Sequence, residues 1–379
     1  MAKGRTEIVV IQATSFCNVD CKYCYLPDRK LNKRISLETV AKIADRLFES
    51  SFIADAVTIV WHAGEPLSLP ISFYEEAHKQ IEQRNTRGVK ITWSIQTNAT
   101  LITGDWCEFF KRHQVRVGIS LDGPRKVHDA YRVDRAGRGT FDRTMRGLRL
   151  MREAGLRPAI IAVVTDASLA YPEDIWRFFT EIGAAYVGLN VESVEGVNVT
   201  SSMQHDGAEN AYKDFLKRIL SSMEKEPSSP LLREYENAMR HIMSQSSNTR
   251  PQDNVPMAIL NFDCEGNVST FSPELLTARH HRYGQFILGN VFEQSLEDLI
   301  HTDRFRLLNA EIEEGVSRCR ATCDYYSFCG GGWPANKLAE TDTFKSTETS
   351  SCRLRIKSGV DAILEHLEER FDSGRAVTR

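Results

Sequence analysis

The sequence lacks any apolar run that approaches the roughly 20 residues a helix needs to cross a bilayer. It has little net charge, −3 at neutral pH, and so gives no reason to expect a nucleic acid or an anionic membrane as partner. It contains no internal repeat and no low-complexity tract. The N-terminus leads directly into the apolar residues 8–12, without the apolar region and cleavage site of a signal peptide. We therefore expect a cytoplasmic protein with no membrane partner.

The composition is that of an ordinary soluble globular protein, with 41% hydrophobic and 26% charged residues. A chain of 379 residues is long enough for one large domain and a smaller one.

Nine cysteines are many for a cytoplasmic enzyme, and seven of them are clustered. Three lie between Cys17 and Cys24, and four lie between Cys319 and Cys352, whereas Cys107 and Cys264 stand apart. In a reducing compartment, thiols at short spacings are more often metal ligands than disulfides.

Apolar, β-branched runs alternate with helical patterns through the first half of the chain. The predicted strands are residues 7–12, 56–61, 89–97, 115–121, 158–164 and 185–191. The predicted helices are residues 36–50, 72–85, 104–113, 139–154 and 172–182, with polar caps at Ser36 and Thr103. Later helices are predicted at residues 205–224, 230–246, 294–309 and 352–371, with a polar linker at residues 244–254.

Alternation of strands and helices predicts an α/β fold with parallel strands. Six strands are two short of a closed (β/α)8 barrel, which favours a partial (β/α)6 barrel over a doubly wound sheet. We expect this barrel in residues 1–200, a helical bridge and linker in 201–255, and a small domain with the second group of cysteines in 256–379.

The first cysteine group, Cys17, Cys21 and Cys24, follows directly after the first predicted strand. Three thiolates at C-x3-C-x2-C can hold three irons of a cubane [4Fe-4S] cluster. The fourth iron then has an open position that a cofactor can chelate. The alternative is a structural zinc site, which would need a fourth ligand, and His62 is the only near candidate.

This segment, Thr14-Ser-Phe-Cys-Asn-Val-Asp-Cys21, resembles the cluster loop of the radical S-adenosylmethionine (SAM) superfamily. Val60-Trp-His-Ala-Gly-Glu-Pro-Leu67 similarly resembles the Gly-Gly-Glu-Pro motif of that family, which binds the methionine amino group. The resemblance implies SAM as cofactor and a set of SAM contacts at the carboxyl ends of the strands. These are Tyr23, Ala63, Gly64, Glu65, Asn98, Ser120, Arg132 and Asn190.

The second cysteine group is Cys319, Cys323, Cys329 and Cys352, on a segment that we expect to be irregular and glycine-rich. Four thiolates suit a fully ligated auxiliary [4Fe-4S] cluster, and zinc is the alternative. The segment resembles the SPASM or twitch extension of peptide-modifying radical SAM enzymes. Phe271 and Trp333 stand where the full SPASM pattern has further cysteines, so we expect one auxiliary cluster. We expect Cys107 and Cys264 to be ordinary thiols.

The whole pattern resembles the cyclophane-forming, or triceptide-type, radical SAM/SPASM peptide maturases. The later segments that carry this resemblance are Asp263-Cys-Glu-Gly-Asn-Val-Ser-Thr-Phe-Ser-Pro-Glu-Leu275, Gly289-Asn-Val291 and Phe328-Cys-Gly-Gly-Gly-Trp333. The resemblance implies a 5′-deoxyadenosyl radical that abstracts a side-chain Cβ hydrogen from a ribosomally made precursor peptide. An aromatic ring carbon then bonds to that Cβ in a three-residue cyclophane.

The resemblance implies two partners, a precursor peptide with a leader and an external one-electron reductant of the flavodoxin or ferredoxin type. No recognition domain precedes Cys17, so we expect this chain to recognise the leader itself. The reaction needs a base, and Glu274 is the nearest carboxylate to the matching position of sulfatase-maturing relatives. The alternatives are sulfatase formylglycine formation, thioether formation, or a non-catalytic iron–sulfur or zinc protein.

Overall fold

The fold is built on a single large β-sheet flanked by helices. The structure is a computed structural model that describes residues 5–226, 228–244 and 250–372. The strands of the first half are β1 (Thr6–Ile11), β2 (Ile53–Trp61), β3 (Lys90–Thr97), β4 (Arg116–Ser120), β5 (Ala159–Val164) and β6 (Tyr186–Val191). The helices between them are α1 (Leu37–Glu49), α2 (Ile71–Arg84), α3 (Gly104–Arg112), α4 (Arg125–Tyr131), α5 (Phe141–Glu153) and α6 (Pro172–Glu181).

These strands pair in parallel and in sequence order, from β1 to β6. The ends of each predicted strand are confirmed to within three residues. Among the α-helices between these strands, α4 is the one that was not predicted. The predicted caps are confirmed as well: Ser36 accepts a hydrogen bond from the Thr39 amide, and Thr103 accepts one from the Trp106 amide. The parallel order confirms the predicted α/β fold with parallel strands.

The sheet continues beyond the six central strands on both sides. After the helices α7 (Ala208–Lys225) and α8 (Arg233–Met243), the chain returns to pair β8 (Ile259–Phe262) in parallel with β1. The remaining sheet strands are β7 (Leu231–Leu232), β9 (Asn267–Thr270) and β12 (Gly289–Asn290). The order is β12-β9-β8-β1-β2-β3-β4-β5-β6-β7, so the sheet is open within the described residues.

The C-terminal third therefore begins by extending the barrel sheet. The expected boundary between residues 255 and 256 lies just before β8, and residues 245–249 of the predicted linker lie outside the described residues. The remaining elements are a hairpin of β10 (Arg279–His280) and β11 (Gly284–Gln285), the helices α9 (Leu296–Leu299), α10 (Asp303–Thr322), α11 (Tyr326–Cys329), α12 (Pro334–Thr341) and α13 (Ser350–Cys352), a π-helical turn (Arg353–Ser358) and α14 (Gly359–Asp372).

The predicted helix at residues 294–309 is wrong in its bounds. Thr302 accepts a hydrogen bond from the Phe305 amide and so begins a new helix, α10, that continues to Thr322. As a result Cys319 lies in a helix, as Cys352 does, and the second cysteine group is less irregular than predicted.

The packing of α5 against the loop after β3 gives a test of the fold. A Cβ atom on Gly147 would lie 2.2 Å from the Ala99 carbonyl oxygen. We expect Gly147→Ala to lower the free energy of unfolding by about 1–3 kcal/mol, because the backbone of a packed loop must shift. Gly104→Ala in α3 is the control, since a Cβ there has no atom within 4 Å. Apparent melting temperatures at one scan rate measure both, and an unchanged value for Gly147→Ala would contradict this packing.

Candidate active site

The first cysteine group lies on the loop between β1 and α1, above the carboxyl ends of the strands. Cys17 and Cys21 are buried, and Cys24 is half-buried. Two arginines hold the loop: Arg135 donates to the Cys17 carbonyl (2.7 Å) and Arg29 donates to the Cys21 carbonyl (3.0 Å). The loop is thus fixed through its backbone, which leaves the sulfur atoms free to bind a metal group.

Burial disfavours free thiolates at these positions. It raises the pKa of the Cys17 thiol well above its ordinary value, with the Glu65 carboxylate adding to the shift, and it raises the pKa of Cys21 to about 11. Two donors nevertheless face the sulfurs, Asn98 Nδ2 at 3.9 Å from Cys17 Sγ and Arg132 Nη1 at 3.8 Å from Cys21 Sγ. This environment suits thiolates whose charge is balanced by bound iron.

The described residues contain one group of three candidate metal ligands whose donor atoms all lie within 4.8 Å of one another, namely His280, His281 and Asp342. A cubane, in which each thiolate binds a different iron, does not need its sulfurs to be that close. Both cysteine groups therefore stay predicted cluster sites, with zinc as the alternative.

Glu65 follows β2 and is positioned by the backbone of its neighbours. Ala63 and Gly64 both have positive φ angles, 70° and 68°, which turns the chain towards the cysteine loop. The buried Glu65 carboxylate accepts from Thr97 Oγ1 (2.7 Å), the Asn98 amide (2.9 Å) and the Leu67 amide (3.0 Å).

Three of the roughly four acceptor positions of this carboxylate are therefore used. Burial raises the pKa of Glu65 to about 7, and the same hydrogen bonds oppose the shift. The remaining acceptor position and the buried negative charge fit an ammonium group, which would restore the charge balance.

Asp122 ties β4, β5 and the cysteine loop together, a role the sequence did not reveal. Its carboxylate accepts from Arg132 Nε (3.0 Å), from the Val163 amide (3.0 Å) and from the Tyr23 hydroxyl. The Arg132 guanidinium also lies over the Tyr23 ring, 5.3 Å from its centroid. Tyr23 and Arg132 are thus held in place before any cofactor binds.

Three further predicted SAM contacts, Asn98, Ser120 and Asn190, already make hydrogen bonds within the protein. The Asn98 side chain bonds to Asn18 and Thr100, so it mainly positions the loop. Ser120 Oγ accepts from Gln96 Nε2 (2.9 Å), and Asn190 Oδ1 accepts from Arg233 (2.8 Å).

One cavity of about 510 Å³ brings all of these predicted contacts together. Its wall contains Cys17, Cys21, Cys24 and every predicted SAM contact, together with Glu274. A neighbouring cavity of about 800 Å³ shares Glu195, Glu274 and Ala335 with it.

Sequence reasoning missed three charged side chains in the wall of the smaller cavity, Glu195, Asp253 and Arg355. The predicted residue Glu274 lies in the same wall. Burial, followed by repulsion from Glu195, raises the pKa of Glu274 to about 8. These residues come from a loop, two short turns and a π-helical turn. No local sequence pattern predicts that they lie close together.

The second cysteine group is positioned by helix ends and a glycine turn. Cys319 lies in the last turn of α10, Cys323 caps it, Cys329 ends α11 and Cys352 ends α13. The buried Lys337 ammonium donates to Cys319 Sγ (3.4 Å).

Gly331 and Gly332 follow Cys329 with positive φ angles of 111° and 76°, and their amides face its sulfur. A Cβ on Gly331 would lie 2.9 Å from Val316 Cγ2, so the turn needs glycine there. A buried ammonium and two amides aimed at thiolates fit an iron–sulfur cluster.

The two isolated cysteines lie outside both groups. Cys264 Sγ donates to the Gln12 carbonyl (3.3 Å) beside β1, and Cys107 is packed in the core on α3. Within the described residues, no helix has the length and apolar character to span a membrane.

Comparison with known proteins agrees with this geometry. The sequence model of the radical SAM superfamily matches residues 11–179. Over 370 residues the chain is 40% identical to an uncharacterised Synechocystis protein. The aligned region covers 97% of this chain and 93% of that protein. The chain belongs to the radical SAM superfamily. It is a radical SAM enzyme that uses a [4Fe-4S] cluster and SAM.

Further relatives have named activities or bound peptides. The chain is 28% identical over 357 residues to a serine-type anaerobic sulfatase-maturating enzyme of Bacteroides thetaiotaomicron, covering 88% of this chain and 84% of that enzyme. The fold of this chain is similar to that of anSMEcpe with bound AdoMet and Cp18Cys peptide, with a TM-score of 0.78 and 20% identity. The match covers 97% of this chain and 98% of that one. The fold is also similar to Streptococcus suis SuiB bound to the precursor peptide SuiA (TM-score 0.65, 18% identity, 92% and 76% coverage).

Removal of the Glu65 charge tests the ammonium site. We expect Glu65→Gln to raise the dissociation constant for SAM by about 10- to 100-fold, because a charge-assisted hydrogen bond is lost. Calorimetric titration of the reconstituted enzyme measures the effect, with Glu76→Gln on the surface of α2 as control. An unchanged affinity with full iron content would contradict the role of Glu65.

Metal analysis tests the second cysteine group. Two cubanes contain about eight irons per chain, so we expect Cys352→Ala to lose about half of the iron. Cys264→Ala is the matched control and should lose none. One zinc ion per chain in the unaltered protein, together with about four irons, would show that the second site binds zinc.

Proposed function

We propose that this enzyme is a SPASM-type maturase that crosslinks a ribosomally made precursor peptide, joining an aromatic ring carbon to a side-chain Cβ. The observation that carries the proposal is the position of Glu274. No described side chain donates a hydrogen bond to this carboxylate, and it faces the cavity that also contains Glu65 and the first cysteine group. A weakly acidic carboxyl group at this place suits a base that accepts a proton from the peptide.

The balance of the crosslinking reaction shows why a base is needed. The cluster and SAM, when bound, supply a 5′-deoxyadenosyl radical, which takes one hydrogen atom from the Cβ. The Cβ then bonds to the ring carbon, and the ring regains aromaticity by losing one proton and one electron. Glu274 would receive the proton. The second cysteine group would hold the acceptor of the electron.

The larger cavity gives a peptide a route to this site. It adjoins the smaller cavity at Glu195, Glu274 and Ala335, and its wall mixes apolar residues such as Leu275 and Phe286 with charged ones. A volume of about 800 Å³ accommodates several residues of an extended chain. We propose that the precursor peptide binds there, and that an external flavodoxin or ferredoxin supplies the first electron.

Sulfatase maturation is the second candidate, favoured by the likeness to the sulfatase-maturating enzymes. Asp253 also lies beside Ser272, whose hydroxyl donates to the Asp253 carboxylate (3.2 Å), so a carboxylate is present near the position where those relatives have an acid. Against it, Phe271 occupies a position of an auxiliary-cluster cysteine, and its ring is buried and packs against Phe305 (6.4 Å between centroids).

Mass spectrometry of a co-expressed precursor distinguishes the two functions. We expect a precursor encoded beside this gene to lose two hydrogens and to give fragments consistent with a ring between an aromatic residue and a residue two positions further on. A sulfatase peptide converted to formylglycine, with no change in the precursor, would reject the crosslinking function.

The role of Glu274 predicts a pH dependence of the same reaction. The carboxyl group is protonated below about pH 8 and is a base only when ionised, so crosslinks formed per 5′-deoxyadenosine should rise as the pH increases through about 8. Glu274→Gln should still form 5′-deoxyadenosine but lose most of the crosslink. Glu108→Gln on the surface of α3 serves as control, and loss of crosslinking in Asp253→Asn alone would assign the base to Asp253 instead.

A further inference from the structure

Arg355 is a half-buried cation without a direct partner among the described residues. It lies on the π-helical turn three residues after Cys352, and its guanidinium forms part of the cavity wall. In the described part of the chain it makes no hydrogen bond or ion pair. Arg233 repels it, and Glu195, Glu234, Asp253 and Glu274 attract it without direct contact. A guanidinium that is largely withdrawn from water is costly unless a ligand uses its free donors, and π-helical turns occur frequently at functional sites.

Trp333 covers one face of this guanidinium. The Arg355 Cζ atom lies 4.0 Å from the centre of the Trp333 ring. Trp333 follows directly after the glycine turn of residues 330–332 and is the N-cap residue of α12. The two side chains form a planar platform close in sequence to Cys329 and Cys352.

The charges around this platform decide which ligand fits. Glu195, Glu274 and Asp253 line the same cavity, so a carboxylate ligand would add a negative charge to a site that already contains three acidic groups. A cationic side chain would meet the guanidinium itself. A neutral aromatic ring avoids both penalties, because its π face is attracted to the guanidinium and an indole N–H or a phenol O–H can donate to a carboxylate.

We propose that Arg355 and Trp333 form the subsite that binds the aromatic side chain of the substrate, with the ring stacked on the face of the guanidinium that Trp333 leaves uncovered. This inference rests on the proposed function, since it identifies where the ring to be crosslinked is held. The subsite places that ring beside Glu274, the proposed base. The subsite would also make the enzyme specific for aromatic residues, which a peptide channel without such a subsite would not be.

Small amides test the subsite without requiring the crosslinking reaction. The probes are N-acetylphenylalaninamide and N-acetylcyclohexylalaninamide. Their side chains are of similar size, but only the phenylalanine side chain is aromatic. We expect the SAM-loaded holoenzyme to bind the aromatic amide about two- to fivefold more tightly, as a cation–π contact implies. Ligand-observed NMR titration measures both dissociation constants, and equal affinities in the unaltered enzyme would reject the subsite without any variant.

Substitutions on the π-helical turn sharpen the test. Arg355→Gln should abolish the preference for the aromatic amide, and Arg355→Lys should reduce it because the planar face is lost. Arg353→Gln is the matched control: it removes an arginine from the same turn whose partner is the surface residue Glu209 (2.6 Å), and it should keep the full preference. Iron content and SAM affinity are measured for each variant. A preference that survives in Arg355→Gln, or a loss of SAM affinity that exceeds the change in probe binding, would overturn the proposal.

The outcome is separable from that of the proposed function. If precursors are never crosslinked but the aromatic preference depends on Arg355, the subsite stands and the crosslinking function fails. If precursors are crosslinked and Arg355→Gln keeps both the preference and the crosslink, the function stands and the subsite fails.

Discussion

The close approach of two backbone segments, at Gly64 and at the loop carrying the first cysteine group, is the contact on which the active site depends. A Cβ atom at residue 64 would lie 2.3 Å from the Thr14 carbonyl oxygen and 2.8 Å from that of Phe16, so only glycine allows it. The Glu65 amide then donates to the Phe16 carbonyl (2.7 Å). This contact brings the Glu65 carboxylate and the cysteines into the wall of one small cavity. One cofactor can therefore contact the carboxylate and the group that the cysteines would hold.

Buried charges around the cavity are arranged in two different ways. Arg132 with Asp122 and Lys337 with Cys319 are compensated within the protein, so these pairs hold loops in place. Glu65, Glu274 and Arg355 have no oppositely charged group in direct contact within the described residues, and each faces the cavity. Since a buried ionisable group without a partner is unfavourable in its charged form, these three residues are the ones left available to interact with ligands. The presence or absence of a charged partner within the protein thus separates residues that position loops from residues that bind ligands, and this separation needs no comparison with related proteins.

The six central strands and the helix caps could be predicted because each produces a local pattern in the sequence. The two cysteine groups have a local pattern as well, and their role as cluster ligands stays a prediction. The bounds of α10 could not be predicted, since a threonine cap at residue 302 resembles the polar residues of a loop. The meeting of Glu195, Asp253 and Arg355 depends on contacts between segments far apart in sequence, and a single carboxylate or arginine in a turn has no distinguishing signal. Glu274 was selected through its position near a motif, whereas its raised pKa follows from neighbours that only the fold supplies.

The pairing of β8 with β1 also has a consequence for the behaviour of the chain in solution. An open parallel sheet would otherwise present its first strand as a long, flat edge with unpaired amides and carbonyls, which invites pairing with other molecules. Here the described sheet ends in β12 on one side and β7 on the other, and each has only two residues. A radical SAM enzyme whose sheet stays open thus gives other copies of itself little edge on which to add a strand.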